Sequence, residues 1–64
     1  MFYKFYDIHN HLFFVNIKFI SRIYRDFLEP TYFHIFYFNG FNEEFEIIIN
    51  YDTFVEFERF INYG

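Results

Sequence analysis

The sequence has no cysteine, no tryptophan, no alanine and no glutamine, and only one proline and two glycines. Without cysteine there is no disulfide framework and no thiolate to serve as nucleophile or metal ligand. With only Gly40 and Gly64, the chain cannot form the glycine-rich loops that bring backbone against a phosphate. Ser21 is the only serine and has no glycine beside it, which excludes a nucleophile elbow. Positive charge is also scarce: five Lys and Arg stand against nine Asp and Glu, a net charge of −4. Binders of single-stranded nucleic acid combine aromatic platforms with a positive groove. Five cations do not build one, so no direct nucleic-acid contact is expected. The longest stretch free of Asp, Glu, Lys and Arg runs from Thr31 to Asn42, well short of the roughly 20 residues that span a bilayer. The first twenty residues carry Lys4 and Asp7 and lack a small-residue cleavage site, unlike a secretory signal. The expectation is a cytoplasmic protein, in the host cytoplasm if viral, with no membrane contact.

What is present is aromatic. Hydrophobic residues make up 55% of the 64 residues and Phe plus Tyr alone 33%, which excludes a disordered chain. The length suits a single small globular domain over residues 1–64 and is far below the roughly 250 residues of a large enzyme barrel. Phe, Tyr, Ile and Asn share A- and T-rich codons, so their excess points to an AT-rich gene of the phage or mobile-element kind.

The patterning predicts an α+β fold: a small antiparallel β-sheet with a C-terminal α-helix packed on one face. Phe2–Ile8 and Leu12–Val15 read as strands around the polar cluster His9, Asn10, His11. Residues 17–28 fit two templates. Ile17, Ile20, Tyr24, Phe27 and Leu28 share a helical stripe, which would make a second helix capped by Asn16 and stopped by Pro30. The Ile, Phe and Tyr content favours a strand instead. Asn39-Gly40 suits the two-residue type I′ turn of a hairpin joining Thr31–Phe38 to Phe41–Asn50. That turn sets Phe38 opposite Phe41 and His34 opposite Phe45. One face then holds Tyr32, His34, Phe36, Phe38, Phe41, Phe45, Ile47 and Ile49 as the core, with His34 a buried neutral imidazole. Phe33, Ile35 and Tyr37 point the other way. Thr53-Phe54-Val55-Glu56 fits a capping box, opening a helix with Phe54, Phe57 and Ile61 on its buried stripe.

Two features invite a functional reading. Asp7-Ile8-His9-Asn10-His11 resembles the first-strand metal ladder of the amidohydrolases and related metal-dependent hydrolases. That resemblance implies Asp7, His9 and His11 as ligands on one strand face. It covers five residues, and those families draw further ligands from later barrel strands, where this chain offers only His34. A polar turn accounts for the motif, and no metal, cofactor or catalytic residue is expected.

The second feature is charge asymmetry. Residues 1–40 sum to +1 and residues 41–64 to −5. Glu43, Glu44, Glu46, Glu56 and Glu58 would be the acidic docking residues for a host protein with a basic surface; Glu44 and Glu46 share a strand face and Glu56 lies in the helix, so they need not all form one patch. The uncovered strip Phe33, Ile35, Tyr37 would bind a partner or a second copy as a homodimer. The function expected is a small acidic protein-binding module, an inhibitor of a host nucleic-acid-handling complex of the anti-CRISPR type that acts as a nucleic-acid mimic. The alternative is a structural or scaffolding homo-oligomer with no catalytic role.

Overall fold

The structure, a computed structural model, describes residues 1–63. The chain runs β1 (Phe2–Tyr6), β2 (Leu12–Asn16), a 3-10 turn (Ile17–Phe19), β3 (Ile20–Arg25), β4 (Tyr32–Phe38), β5 (Glu44–Asn50) and α1 (Tyr51–Tyr63). β1 and β2 form a two-stranded antiparallel sheet; β3, β4 and β5 form a three-stranded antiparallel sheet in that order. This is the expected α+β architecture, with five strands and one terminal helix.

The first hairpin is closed by Asp7. Its Oδ1 accepts the backbone N–H groups of His9 and His11 at 2.9 and 2.8 Å, and Asn10 takes a positive φ of 65°. A short polar side chain that bonds its own backbone two residues on defines this kind of turn, and it stops β1 at Tyr6 rather than Ile8. Tyr3 and Phe5 pair with Val15 and Phe13 across the hairpin. That face joins the helix over one side of the three-stranded sheet.

The core is Phe5, Val15, Phe33, Ile35, Ile47, Ile49 and Phe57. Its aromatic contacts reach across layers: Phe57 meets Phe5 and Tyr3 with ring centroids 5.0 Å apart, and Phe54 stacks on Phe33 at 4.0 Å. Phe54 and Phe57 therefore point inward as the helical stripe predicts, while Ile61 at its end is half exposed.

Two expectations, the hairpin turn and the helix cap, are corrected, and the open choice at residues 17–28 is decided. The Asn39-Gly40 pair does not make a two-residue turn. Phe38 pairs with Glu44, His34 with Ile48 and Ile35 with Ile47, so the connection is the five residues 39–43. Asn39 Oδ1 accepts the Phe41 N–H at 2.8 Å, the Asn39 N–H reaches the Glu43 carbonyl at 3.1 Å, and the positive φ values fall at Gly40 and Asn42. A shift by an odd number of residues exchanges the faces of one strand relative to its partner. β5 keeps Ile47 and Ile49 inward, but β4 turns over: Phe33 and Ile35 are buried at 5% and 0% exposure, Tyr37 is half-buried, and His34 lies on the outer face. The observed register buries four apolar residues and leaves Glu44 and Glu46 in solvent. The two-residue register would have drawn Glu43 and His34 into the core, and burying charge is costly.

Residues 17–28 are not a second helix. Asn16 caps as expected, its Oδ1 accepting the Lys18 N–H at 3.0 Å, but the helical segment lasts three residues before β3 pairs with β4. A bulge between Ile20 and Arg22 absorbs Ser21. At the helix start, Asn50 rather than Thr53 is the capping side chain: its Oδ1 accepts the Thr53 N–H at 2.9 Å. Thr53 thus sits three residues inside the position the capping box required. Among the described residues no helix is long and apolar enough to cross a membrane.

The register makes a direct prediction. Ile35→Ala and Phe57→Ala should each cost about 2–5 kcal/mol in a denaturant titration, as buried large-to-small changes do. Phe41, 82% exposed, should tolerate Ala within about 0.5 kcal/mol. A Phe41→Ala loss as large as that of Ile35→Ala would restore the two-residue turn.

Candidate functional site

Turning β4 over assembles a polar and aromatic cluster on the solvent face of the three-stranded sheet. His34 comes from the middle of β4, Glu46 from its neighbour β5, and Asp26 from the position just after β3. His34 Nδ1 lies 2.6 Å from Glu46 Oε2, and His34 Nε2 lies 2.6 Å from Asp26 Oδ2. Tyr24 stacks on the imidazole at 4.8 Å with planes 13° apart, and continues onto Phe36. The Arg22 guanidinium covers the Phe36 ring at 4.1 Å and reaches Glu44 at 3.7 Å. Ser21, the bulge residue, lies within 2.9 Å of Glu44 and 3.2 Å of the Phe36 carbonyl.

The electrostatics follow from the geometry. An imidazole facing a carboxylate oxygen on each nitrogen is satisfied only when both nitrogens carry a proton. The Asp26 hydrogen bond holds the His34 pKa above its ordinary value; burial opposes this, and Glu46 adds to it. Asp26 is held low, first by His34 and then by the Glu29 and Leu28 N–H groups that its Oδ1 accepts at 2.7 and 2.9 Å. Charge-assisted hydrogen bonds of this length are the strong ones. Both ring nitrogens of His34 are engaged by carboxylates of the sheet itself. The cluster fastens β3, β4 and β5 to one another across their outer face.

The sequence candidates fall in different places. Glu44 and Glu46 belong to the cluster, neutralised in part by Arg22 and His34. Glu43 sits in the 39–43 connection, where its Oε1 accepts the Asn39 side-chain N–H at 3.2 Å. Glu56 and Glu58 are on the helix, across the core from that face. Glu56 lies close enough to Tyr3 to add to the effect of burial in raising that phenol's pKa. The five glutamates therefore form no single patch. Phe33 and Ile35 are core, so the strip they were expected to expose is covered by α1. Asp7 is spent on its own turn: burial raises its pKa, but the His11 and His9 N–H donors and the His11 ring outweigh that and leave it lowered. Among the described residues no three His, Asp or Glu side chains are grouped to hold a metal ion.

The surface that sequence reasoning missed is aromatic. The outward side of the first hairpin carries Phe2 and Phe14, 65% and 67% exposed, with Lys4 directly opposite Phe14 in the pairing. Phe2, Phe14, Phe19 and Phe38 line a groove of about 310 Å³ whose walls hold no charged residue. Gly40 takes φ +95°, a conformation that side chains rarely adopt, in the connection that runs past the Phe19 ring, and the next residue, Phe41, is 82% exposed. The signal was available at Lys4, whose charge marks the even positions of β1 as the outward face. No protein family, curated protein or solved structure matches this chain.

The Asp26–His34–Glu46 array makes stability depend on pH from both sides. A His34 pKa above 6.5 contributes stability that is full below that value and lost as pH rises through the folded pKa. An Asp26 pKa below 3.8 contributes stability that is full above that value and lost as pH falls through the folded pKa. The melting temperature should therefore be highest between 3.8 and 6.5 and decline on each side. His34→Asn should remove the alkaline decline. An NMR titration placing the His34 midpoint at or below 6.5 would contradict the array.

Proposed function

We propose that the protein is a non-catalytic protein-binding module that docks a partner through the aromatic end built by Phe2, Phe14, Phe19, Phe38 and Phe41. The observation that carries this reading is the imbalance of apolar surface. Among the described residues, seven hydrophobic side chains are buried and fifteen large ones are exposed. Single exposed hydrophobics need no explanation, but a contiguous apolar patch on a small protein marks an interaction site. Aromatic side chains are also those that dominate binding energy at interfaces. The partner that fits presents an apolar side chain or loop of its own to the groove.

A second reading rests on the helix. Asp52, Glu56 and Glu58 are exposed on α1 and take part in no ion pair among the described residues, as does Glu43 in the 39–43 connection. An acidic surface of this kind favours a basic partner and speeds its association. It supports the inhibitor form of the proposal: a phage- or mobile-element-encoded protein acting in the cytoplasm on a host nucleic-acid-handling complex, of the anti-CRISPR type.

Quantitative pull-down separates the two surfaces. Phe2→Ser combined with Phe14→Ser alters only exposed side chains, and Glu56→Gln combined with Glu58→Gln does the same on the helix. A partner recovered by the wild type and lost with the phenylalanine variant, but kept by the glutamine variant, is the expected result. Loss with the glutamine variant alone, with strong salt sensitivity, would move the docking site to the helix. A partner retained by both would contradict docking at either surface.

A further inference from the structure

β3 is the open edge of the three-stranded sheet. The Asp26 N–H bonds the Tyr32 carbonyl of β4 at 2.8 Å, and Tyr24 and Arg22 pair with β4 in the same phase. Successive residues of an antiparallel strand turn their backbone groups to opposite neighbours, so Ile23 and Arg25 present theirs to the empty side. The other edge differs. β5 carries Glu44 and Glu46, and its Ile48 carbonyl accepts the Ile8 N–H at 2.9 Å. Sheet edges on monomeric proteins are protected by charged side chains, proline, bulges or a covering element. β3 has no proline and its bulge lies at the Ser21 end; its charges are Arg22 and Arg25, which repel a copy paired in a register that sets them together but not one that sets Arg22 across from Asp26.

We propose that β3 is a self-pairing edge: two copies of the chain join their β3 strands antiparallel about a two-fold axis at Tyr24, making one six-stranded sheet. The segment Ile20-Ser21-Arg22-Ile23-Tyr24-Arg25-Asp26-Phe27-Leu28 is complementary to itself about that residue. Ile23 of each copy meets Arg25 of the other in a hydrogen-bonded pair, using all the backbone groups that the edge leaves open there. On the outer face Tyr24 meets Tyr24, and Arg22 of each copy stands across from Asp26 of the other, an attractive pairing made twice. On the inner face the second copy's Arg25 arrives opposite Ile23, beside a groove of about 290 Å³ between β3 and α1 that Ile61 and Glu58 flank. Its guanidinium thereby meets the exposed Glu58 carboxylate, which has no ion pair among the described residues of the single chain. Phe27 and Leu28, 96% and 87% exposed, are carried toward the Ile20 end of the other copy. Such an interface is isologous, the same patch on both partners. This edge is separate from the aromatic end, so the proposal does not depend on the docking reading above.

Because the chain has no cysteine, one introduced thiol can cross-link only to its own copy. Tyr24→Cys would sit on the axis in a non-hydrogen-bonded pair, with Cα atoms about 4.5 Å apart, inside the disulfide range. Under mild oxidation it should form covalent dimer on the order of tenfold faster than Glu56→Cys on the helix, because pairing raises the local thiol concentration. The wild type should sediment at high-micromolar concentration with twice the 8.2 kDa of one chain. Tyr24→Lys, which sets two ammonium groups against each other on the axis, should be monomeric with unchanged circular dichroism. Equal cross-linking at the two positions, a wild type that stays monomeric, or a folded Tyr24→Lys dimer would each overturn the proposal. The last result would place self-association at the aromatic end.

Discussion

The pairing of β4 with β5 is the constraint on which the rest of the molecule depends. With Ile35 opposite Ile47 and Phe33 opposite Ile49, the odd positions of both strands face the same way and give the helix and the first hairpin a continuous apolar floor. The same register puts His34 and Glu46 on the outer face, within reach of each other and of Asp26. Moving either strand by one residue would expose half of that floor and separate His34 from Glu46. Core and surface cluster are thus two faces of a single choice, and the 39–43 connection makes it, through Gly40 and Asn42 at positive φ.

A core of seven residues is small even for a chain of this length, and small domains bury a modest fraction of their surface. Two devices add to it. Aromatic side chains bring more buried area per residue than aliphatic ones and favour the tilted, edge-to-face contacts found among Tyr3, Phe5 and Phe57. On the outer face the His34 imidazole between two carboxylates ties three strands on the side of the sheet away from the helix. What remains is a surplus of aromatic surface that the fold cannot use, gathered on the first hairpin, the 39–43 connection and the β3 edge. Net charge away from zero opposes non-specific association of such surfaces.

The terminal helix was legible because its signals are local and agree: an apolar stripe at helical spacing and polar residues opposite. Its cap was misplaced by three residues because two capping side chains, Asn50 and Thr53, precede that stripe. The first hairpin was legible from its polar break at residues 7–11. The face of β4 was not, because Tyr32, His34, Phe36 and Phe38 are as aromatic as Phe33, Ile35 and Tyr37. Alternation carries no information where both faces are apolar, and Asn39-Gly40 then decided the register on turn chemistry alone. The acids on β5 held the contrary signal, since Glu44 and Glu46 belong in solvent and their partners across the ladder must lie there with them. The candidate site was hidden for the same reason: His34, Glu46 and Asp26 are distant in sequence and meet only once that register is chosen. In residues 17–28 helix and strand patterns coincide. Pairing with β4 settled the matter, as tertiary contacts override weak local propensity.

The register itself is open to one direct measurement. In an antiparallel ladder the non-hydrogen-bonded pairs bring their α-protons together, and these give strong cross-strand nuclear Overhauser effects. Contacts between the α-protons of His34 and Ile48, and of Phe36 and Glu46, are the result this account predicts. Contacts between the α-protons of Ile35 and Glu44, and of Tyr37 and Asn42, which are the non-hydrogen-bonded pairs of the two-residue turn, would contradict it and with it both the core and the outer-face cluster.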